Sequence, residues 1–146
     1  MYKKFDKKLY EEFDNKAKEK TFTLFQEHSY ELTVSENQYD VDFYYEKDDV
    51  KLFYVECEVK TLWKTETFPF KTIQIPERKK KFCNKDLPVY FIMWNNDLTK
   101  YLIIDHNTLI ASPLVEVKNK YVEKNEKFFQ VPIEKVKFDI NELFHT

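Results

Sequence analysis

The chain has 146 residues, of which 42% are hydrophobic, 18% aromatic and 34% charged, and its formal net charge is −2. This length favours one domain over two, and the apolar content is too high for a disordered tail. No stretch approaches the roughly 18 consecutive apolar residues of a membrane span, so we expect no membrane partner. The balanced charge gives no general attraction to nucleic acid, so any such binding must come from a local patch.

Glycine is absent from the chain, although average usage would give about ten in this length. Sites that require glycine at a fixed position are therefore excluded: the phosphate-binding P-loop, the dinucleotide fingerprint, the EF-hand and the nucleophile elbow. The chain has one arginine and two alanines beside many Lys, Asn, Phe, Tyr and Ile residues. This bias indicates A/T-rich codons and is compatible with a bacteriophage or mobile element as the source.

The two cysteines, Cys57 and Cys83, show no metal-binding spacing and cannot form the dense disulfide framework of a small secreted domain. Residues 1–6 have neither an apolar signal core nor an Arg-rich transit character. We therefore expect reduced thiols and a cytoplasmic location, which is the bacterial host's cytoplasm if the gene is carried by a phage.

In chain order, the helical spacing of apolar residues first predicts an amphipathic helix over residues 3–20. Residues 21–34 are β-rich and aromatic and predict one strand, which the polar residues 35–37 end. Two strand-like runs follow, 39–45 and 51–60, and the turn-forming residues between them predict a hairpin.

In the second half of the chain, Pro76 predicts the first turn of a short helix near residues 77–84, whose exposed face would be basic. The continuous apolar run 89–94 predicts the central strand of the sheet, buried on both faces, and 101–104 predicts its neighbour. We expect the remainder, 106–146, to be a β-rich extension. The predicted fold class is thus α/β, with a mixed central sheet flanked by helices.

Side chains of the predicted strand 51–60 alternate between two faces. The odd face is apolar and the even face polar: Phe53, Val55, Cys57 and Val59 against Tyr54, Glu56, Glu58 and Lys60. The preceding strand divides in the same way: Tyr39, Val41, Phe43 and Tyr45 against Asp40, Asp42 and Tyr44. Pairing of the two strands therefore brings several carboxylates onto one face.

Two registers of this hairpin align the apolar faces of both strands. One leaves a three-residue loop, 47–49, and sets Asp40 opposite Glu56 and diagonal to Glu58. The other sets Asp40 directly opposite Glu58. Both registers place Asp40 nearer to Glu58 than Asp42 is.

Carboxylates that converge within roughly 4–8 Å repel and raise one another's pKa values, so a compensating charge is expected. A hard divalent cation, Mg²⁺ or Mn²⁺, is the natural one because it takes oxygen ligands. The candidate metal ligands are Asp40, Glu58, Asp42 and Glu56. Lys60 follows Glu58 on the same face, about 6.6 Å along the strand. There it would hold an attacking water or offset charge on a reacting phosphate.

Asp40 or Asp42, followed by Glu58-x-Lys60 at the end of the next strand, resembles the PD-(D/E)xK nuclease motif. The predicted element order also resembles the αβββαβ core of that restriction-endonuclease-like family, over roughly residues 5–105. The family consists mainly of Mg²⁺-dependent phosphodiesterases that act on DNA, including restriction enzymes and junction resolvases. The resemblance implies that Asp40 and Glu58 bind metal and that Lys60 positions the nucleophile.

By the same resemblance we expect a single nuclease domain, with the β-rich segment 106–146 as an extension of its core. Its expected activity is Mg²⁺-dependent endo- or exonuclease cleavage of DNA in recombination, repair or degradation, by a monomer or a homodimer. A group of polar and basic residues around the predicted helix would bind the DNA backbone. These residues are Lys71, Gln74, Arg78, Lys79, Lys80 and Lys81.

Other interpretations are compatible with the same residues. The charged side of strand 51–60 can be a solvated face, and the basic run can be no more than exposed charge. The chain can be a nucleic-acid-binding or partner-binding module with a vestigial acidic face, or a regulator that binds a protein through surface aromatic residues. Trp63 is either a core residue or a platform on which a base stacks.

Overall fold

Two β-sheets and a long N-terminal helix dominate the part of the chain that the computed structural model describes, residues 7–36, 40–117 and 126–143. The elements are α1 (Lys7–Glu27), β1 (Thr33–Val34), β2 (Phe43–Lys47), β3 (Val50–Val59), β4 (Thr72–Pro76), a 3₁₀ helix (Glu77–Asn84), β5 (Val89–Trp94), β6 (Tyr101–Asp105), α2 (His106–Ala111), β7 (Leu114–Val117), β8 (Glu126–Pro132) and two 3₁₀ turns (Ile133–Lys135 and Ile140–Glu142). Within these ranges no helix is long and apolar enough to span a membrane.

The larger sheet has five strands in the order β1-β2-β3-β5-β6. Strands β3 and β5 run parallel and the other neighbours are antiparallel, so the sheet is mixed. The second sheet, β4-β8-β7, is antiparallel. The predicted α/β class, with a mixed central sheet flanked by helices, is confirmed, although the middle strand is β3 and not β5.

Both faces of the larger sheet are covered by other elements. The cluster on the α1 side contains apolar residues of β3 and of the helix, including Phe53, Val55, Cys57, Ala17 and Phe25. On the other side Tyr54 packs with Ile75 of β4 and Phe82 of the 3₁₀ helix. Strand β5 contributes to both clusters, which confirms its predicted burial on two faces. The even face of β3 therefore looks toward the second sheet.

Helix α1 is longer than predicted. It continues to Glu27, so the strand predicted from residue 21 is wrong in its first half, and only Thr33–Val34 is paired as a strand. Phe25 is fully buried and meets Phe53 edge to face, with ring centroids 6.0 Å apart. Packing on the sheet outweighs the β preference of this aromatic segment.

A buried hydroxyl group fixes the same part of α1 to the sheet. The Thr21 hydroxyl donates to the Ala17 carbonyl at 2.7 Å, one helical turn earlier. It accepts a hydrogen bond from Trp94 Nε1 of β5 at 2.9 Å. Thr21 therefore stays helical because its side chain finds partners both in the helix and in the sheet.

The hairpin of β2 and β3 turns at Asp48 and Asp49, whose φ angles are 54° and 63°. Two successive positive φ angles are those of the two-residue type I′ connection. Phe43 pairs with Val55, as in the register that faces Asp40 toward Glu58. A register shift between Tyr45 and Glu46 then pairs Lys47 with Val50, so both predicted registers are wrong at the turn.

The path of the chain changes just before β2. The strand begins at Phe43, so the predicted strand is wrong over residues 40–42, and Tyr39 lies outside the described residues. Val41 packs with Tyr54 on the second-sheet side, whereas Phe43 packs on the α1 side. The alternation that the sequence predicted is therefore broken, and the two aspartates precede the β2–β3 ladder.

The segment between β3 and β5 contains both a confirmed and an unpredicted element. A helix over residues 77–84 is confirmed, as a 3₁₀ helix that follows Pro76. Strand β4 was not predicted, nor was the second sheet that it forms with β8. The expected β-rich character beyond residue 106 is confirmed by β7 and β8, with α2 as an addition.

The turn residues give a test of the hairpin. Asp49→Val should lower the free energy of unfolding by about 1–2 kcal/mol relative to Asp49→Gly, because a β-branched residue is strained at positive φ and glycine is not. Urea unfolding measures both variants, and the glycine variant should be at least as stable as the natural chain. Equal stability of the two variants would contradict the turn geometry.

Candidate active site

The charged end of β3 lies where two parallel strands run side by side. Strands β3 and β5 pair as far as Val59 and Trp94, and the Lys60 N–H donates to the Trp94 carbonyl at 2.8 Å. Glu58 and Lys60 therefore lie at the carboxyl ends of both strands, the edge at which open α/β sheets commonly bind ligands.

Glu56 is the most buried carboxylate of this region, with 8% of its side chain exposed. Its Oε1 lies 2.7 Å from Lys79 Nζ of the 3₁₀ helix, and its Oε2 accepts the Asp42 N–H at 3.0 Å. Burial first, and the charge of Asp42 second, raise the pKa of Glu56 to about 7, against the opposing effect of Lys79. A solvated strand face is therefore the wrong interpretation for Glu56.

The charges of three carboxylates act on Lys79. Burial alone would lower the pKa of its ammonium, but the charge and hydrogen bond of Glu56, followed by the charges of Glu58 and Asp42, raise it. Only 16% of its side chain is exposed, so Lys79 points inward and away from the exposed basic face predicted for it. A lysine of the chain itself thus supplies compensating charge on this face.

Asp42 caps the end of the β2–β3 ladder. Its Oδ2 accepts the Cys57 N–H at 2.9 Å, while its own N–H donates to Glu56. Its Oδ1 lies 3.6 Å from Lys18 Nζ of α1. These side-chain bonds replace ladder bonds that are missing before Phe43, where β2 begins.

Glu58 and Lys60 form the more open half of the site. Lys60 Nζ lies 3.5 Å from Glu58 Oε1 and donates a shorter hydrogen bond, 2.7 Å, to the Gln74 carbonyl of β4. Glu58 Oε2 is buried and finds no hydrogen-bond partner among residues 7–36, 40–117 and 126–143. A buried carboxylate oxygen in that state is unfavourable and is a candidate for binding a ligand.

Asp40 belongs to a different group of residues. Its Oδ1 lies 2.8 Å from Lys85 Nζ and accepts the Val41 N–H at the same distance. The hydrogen bond from Lys85 lowers the pKa of Asp40. Lys85 Nζ also lies 5.1 Å from the ring centroid of Tyr54. Tyr54 precedes Glu58 by four residues, which is about 13 Å along the strand.

Each of the four carboxylates that the sequence singled out forms an ion pair with a lysine. The pairs are Asp40–Lys85, Asp42–Lys18, Glu56–Lys79 and Glu58–Lys60. Across the described ranges, no three His, Cys, Asp or Glu side chains converge as a metal-ligating group. The crowding of carboxylates indicated that positive charge was needed, but nothing in the sequence indicated Lys18, Lys79 or Lys85 as its source.

The predicted DNA-binding residues divide into two sets. Five of them are exposed: Lys71, Gln74, Arg78, Lys80 and Lys81. Lys79 is the exception because its ammonium is buried against Glu56. The 3₁₀ helix thus presents three basic residues to solvent and one to the interior.

No family model matches the chain, and no curated protein matches it. Among solved structures, D212, a nuclease from a fusselovirus, matches over 98% of this chain and 93% of its own, with a TM-score of 0.50 and 14% sequence identity. At this identity the likeness shows the fold alone, and this chain has a nuclease-like α/β core.

The raised pKa of Glu56 predicts a pH effect on stability. Because the folded chain holds this proton more tightly than the unfolded one, the contribution of Glu56 is complete below about pH 4.5 and is lost as the pH rises to about 7. Across that window the stability of Glu56→Gln should rise relative to the natural chain by on the order of 3 kcal/mol.

Urea unfolding at several pH values measures this difference. Glu46→Gln is the matched control, since Glu46 is exposed near the hairpin turn. The profile of the control gives the background with which the profile of Glu56→Gln is compared. A profile for Glu56→Gln that follows this background would contradict the burial of a titrating carboxylate at this position.

Proposed function

We propose that this protein is a metal-dependent nuclease that hydrolyses phosphodiester bonds of DNA, with a site of the PD-(D/E)xK type. The observation that carries the proposal is Glu58, whose buried oxygen lacks a hydrogen-bond partner among the described residues, beside Lys60. Both lie at the carboxyl ends of two parallel strands, in a fold that a viral nuclease shares.

The donor set fits a hydrated Mg²⁺ or Mn²⁺ ion. Mg²⁺ commonly takes one or two carboxylates and keeps water or phosphate at its other positions, so three protein ligands are not required. Glu58 would hold the ion through its unpartnered oxygen, with Asp42 and Glu56 as the neighbouring carboxylates. When bound, such an ion lowers the pKa of a coordinated water and offsets charge on a reacting phosphate.

Asp42 is the better candidate than Asp40 for the aspartate of the motif. The charge of Asp42 contributes to the raised pKa values of both Glu56 and Lys79, so it lies within electrostatic reach of the site. Asp40 is instead bound to Lys85, near Tyr54. Loss of β2 pairing before Phe43 separates the two aspartates, although the sequence placed both on one face.

Lys60 would position the attacking water and stabilise negative charge on the phosphate. Its ammonium is held by a neutral carbonyl, that of Gln74, more closely than by Glu58. A cation held by a neutral group keeps most of its attraction for an anion in the cleft. The exposed residues Lys71, Arg78, Lys80 and Lys81 would bind more distant phosphates, in a way that added salt weakens.

A second candidate function is a DNA-binding module without catalysis. It is favoured by Lys79, which already compensates Glu56, and by the capping bonds that give Asp42 and Glu56 a structural role. On this alternative the acidic face stabilises the fold and binds no metal. The two candidates differ in their response to divalent cations.

Substitutions at the open half of the site test the nuclease. Glu58→Gln and Lys60→Ala should each reduce cleavage of DNA by about 100-fold or more, since Glu58 would hold the metal ion and Lys60 would stabilise charge on the reacting phosphate. The measurement is release of labelled fragments in Mg²⁺. Glu46→Gln and Lys47→Ala are matched controls at exposed positions and should cleave at the natural rate. Full activity in both site variants would rule out this face as the active site.

Metal binding can be followed without any substrate. Mg²⁺ or Mn²⁺ should raise the melting temperature of the natural chain as the site fills, by an amount that follows RT ln(1 + [L]/Kd). The rise should persist in Asp40→Asn and disappear in Asp42→Asn and Glu58→Gln. No rise in the natural chain beyond that given by a monovalent salt of equal ionic strength would favour the binding module.

A further inference from the structure

An open cleft of about 900 Å³ extends from Glu58 and Lys60 along the segment that connects β3 to β4. This volume lies within the range of roughly 300–1,000 Å³ that ligand sites usually have. The side chains that matter for its chemistry are Glu58, Lys60, Leu62, Lys64, Phe68 and Phe70. One end of the cleft is therefore the proposed active site, and the other is apolar.

The apolar end of the cleft is a row of three aromatic rings. Trp63 is buried, with 1% exposed, and meets Phe68 edge to face at a centroid distance of 5.3 Å. Phe68 meets Phe70 in the same way at 5.6 Å. Phe70 ends the row with half of its surface exposed, and Leu62 beside the cleft is 74% exposed. The buried ring of Trp63 and the partly buried ring of Phe68 thus support the exposed ring of Phe70.

Exposed apolar groups gathered in one cleft commonly mark a binding surface. We propose that Phe70 stacks on an unpaired base of the DNA strand that enters the active site. The inference rests on the proposed function, and it narrows the substrate to DNA with unpaired bases near the scissile phosphate.

Charge in and beside the cleft favours a nucleic acid over an apolar partner. Lys60 and Lys64 line it together with Asp14 and Glu58, and the exposed Lys71, which follows Phe70 directly in the chain, adds a further positive charge. An apolar ring among ammonium groups matches a base attached to a phosphate backbone, as in proteins that bind single strands. In a duplex the face of each base is covered by its neighbours, so Phe70 would gain little from intact double-stranded DNA.

The test is equilibrium binding without cleavage, with a chelator present. Fluorescence anisotropy measures binding to labelled oligothymidylate and to a labelled duplex of equal length. Phe70→Ala should weaken binding of the single strand by about 5- to 100-fold, the range typical of a lost base stack, and change binding of the duplex much less. Phe70→Tyr keeps the ring and should bind like the natural chain.

Phe138→Ala is the matched control, because Phe138 is 51% exposed and does not line the cleft. It should leave binding of both DNAs unchanged. If Phe70→Ala melts at a lower temperature, Phe70→Leu keeps apolar bulk without a ring and should show the same selective loss. Equal losses on both DNAs, or no loss, would overturn the stacking role.

Two further outcomes separate this inference from the nuclease proposal. Selective binding that depends on Phe70, in a protein that cuts no DNA, would support the stacking site and contradict the nuclease. Cleavage of DNA by a protein whose single-strand binding Phe70→Ala leaves unchanged would support the nuclease and contradict the stacking site.

A dimer of this chain is a further possible occupant of the cleft. If sedimentation shows a concentration-dependent dimer that Phe70→Ala dissociates, the surface belongs to a second copy of the chain and the inference is overturned.

Discussion

The buried ion pair between Glu56 and Lys79 is the interaction on which the rest of the site depends. It joins the middle strand of the larger sheet to the 3₁₀ helix, which lies between β4 and β5 in the chain. Lys79 offsets only part of the cost of burying the Glu56 carboxylate, whose pKa stays raised to about 7. What the pair contributes is the position of the helix, because Lys79 Nζ lies 2.7 Å from Glu56 Oε1. The pair therefore fixes the 3₁₀ helix against β3 just beside the point where Glu58 and Lys60 reach the cleft.

Lys79 and Lys60 have different main hydrogen-bond partners. Lys79 is committed to Glu56 at 2.7 Å and is screened from solvent. Lys60 is 3.5 Å from Glu58 and is positioned instead by the Gln74 carbonyl at 2.7 Å. One lysine thus stabilises the folded acidic face, whereas the other keeps a charge that an incoming phosphate can use. The proposed chemistry depends on this division.

Sequence reasoning was reliable where an element is regular. Strand β3 is continuous over Val50–Val59, so parity correctly set Glu56 and Glu58 on the face opposite to the α1 contacts. The same reasoning was wrong for residues 40–42, because an alternating pattern does not show where a strand leaves its partner. It was also wrong for residues 21–27 of α1, whose decisive bond reaches Trp94, 73 residues away in the chain.

The least predictable element, β4, has the largest influence on the site. Its alternation of polar and apolar residues, Thr72 to Ile75, is short and ends at a proline, so it predicted no strand. Its Gln74 carbonyl nevertheless holds Lys60, and its residues line the cleft that contains Phe70. Ile73 and Ile75, at alternate positions of β4, are 2% and 0% exposed, so apolar packing sets where the strand lies. Because core packing is stiff, a carbonyl on such a strand is a firmer support for an ammonium than an exposed carboxylate would be. The proposed catalytic lysine is thus positioned chiefly by a strand that the hydrophobic core fixes, and its ion pair with Glu58 is the longer of its two contacts.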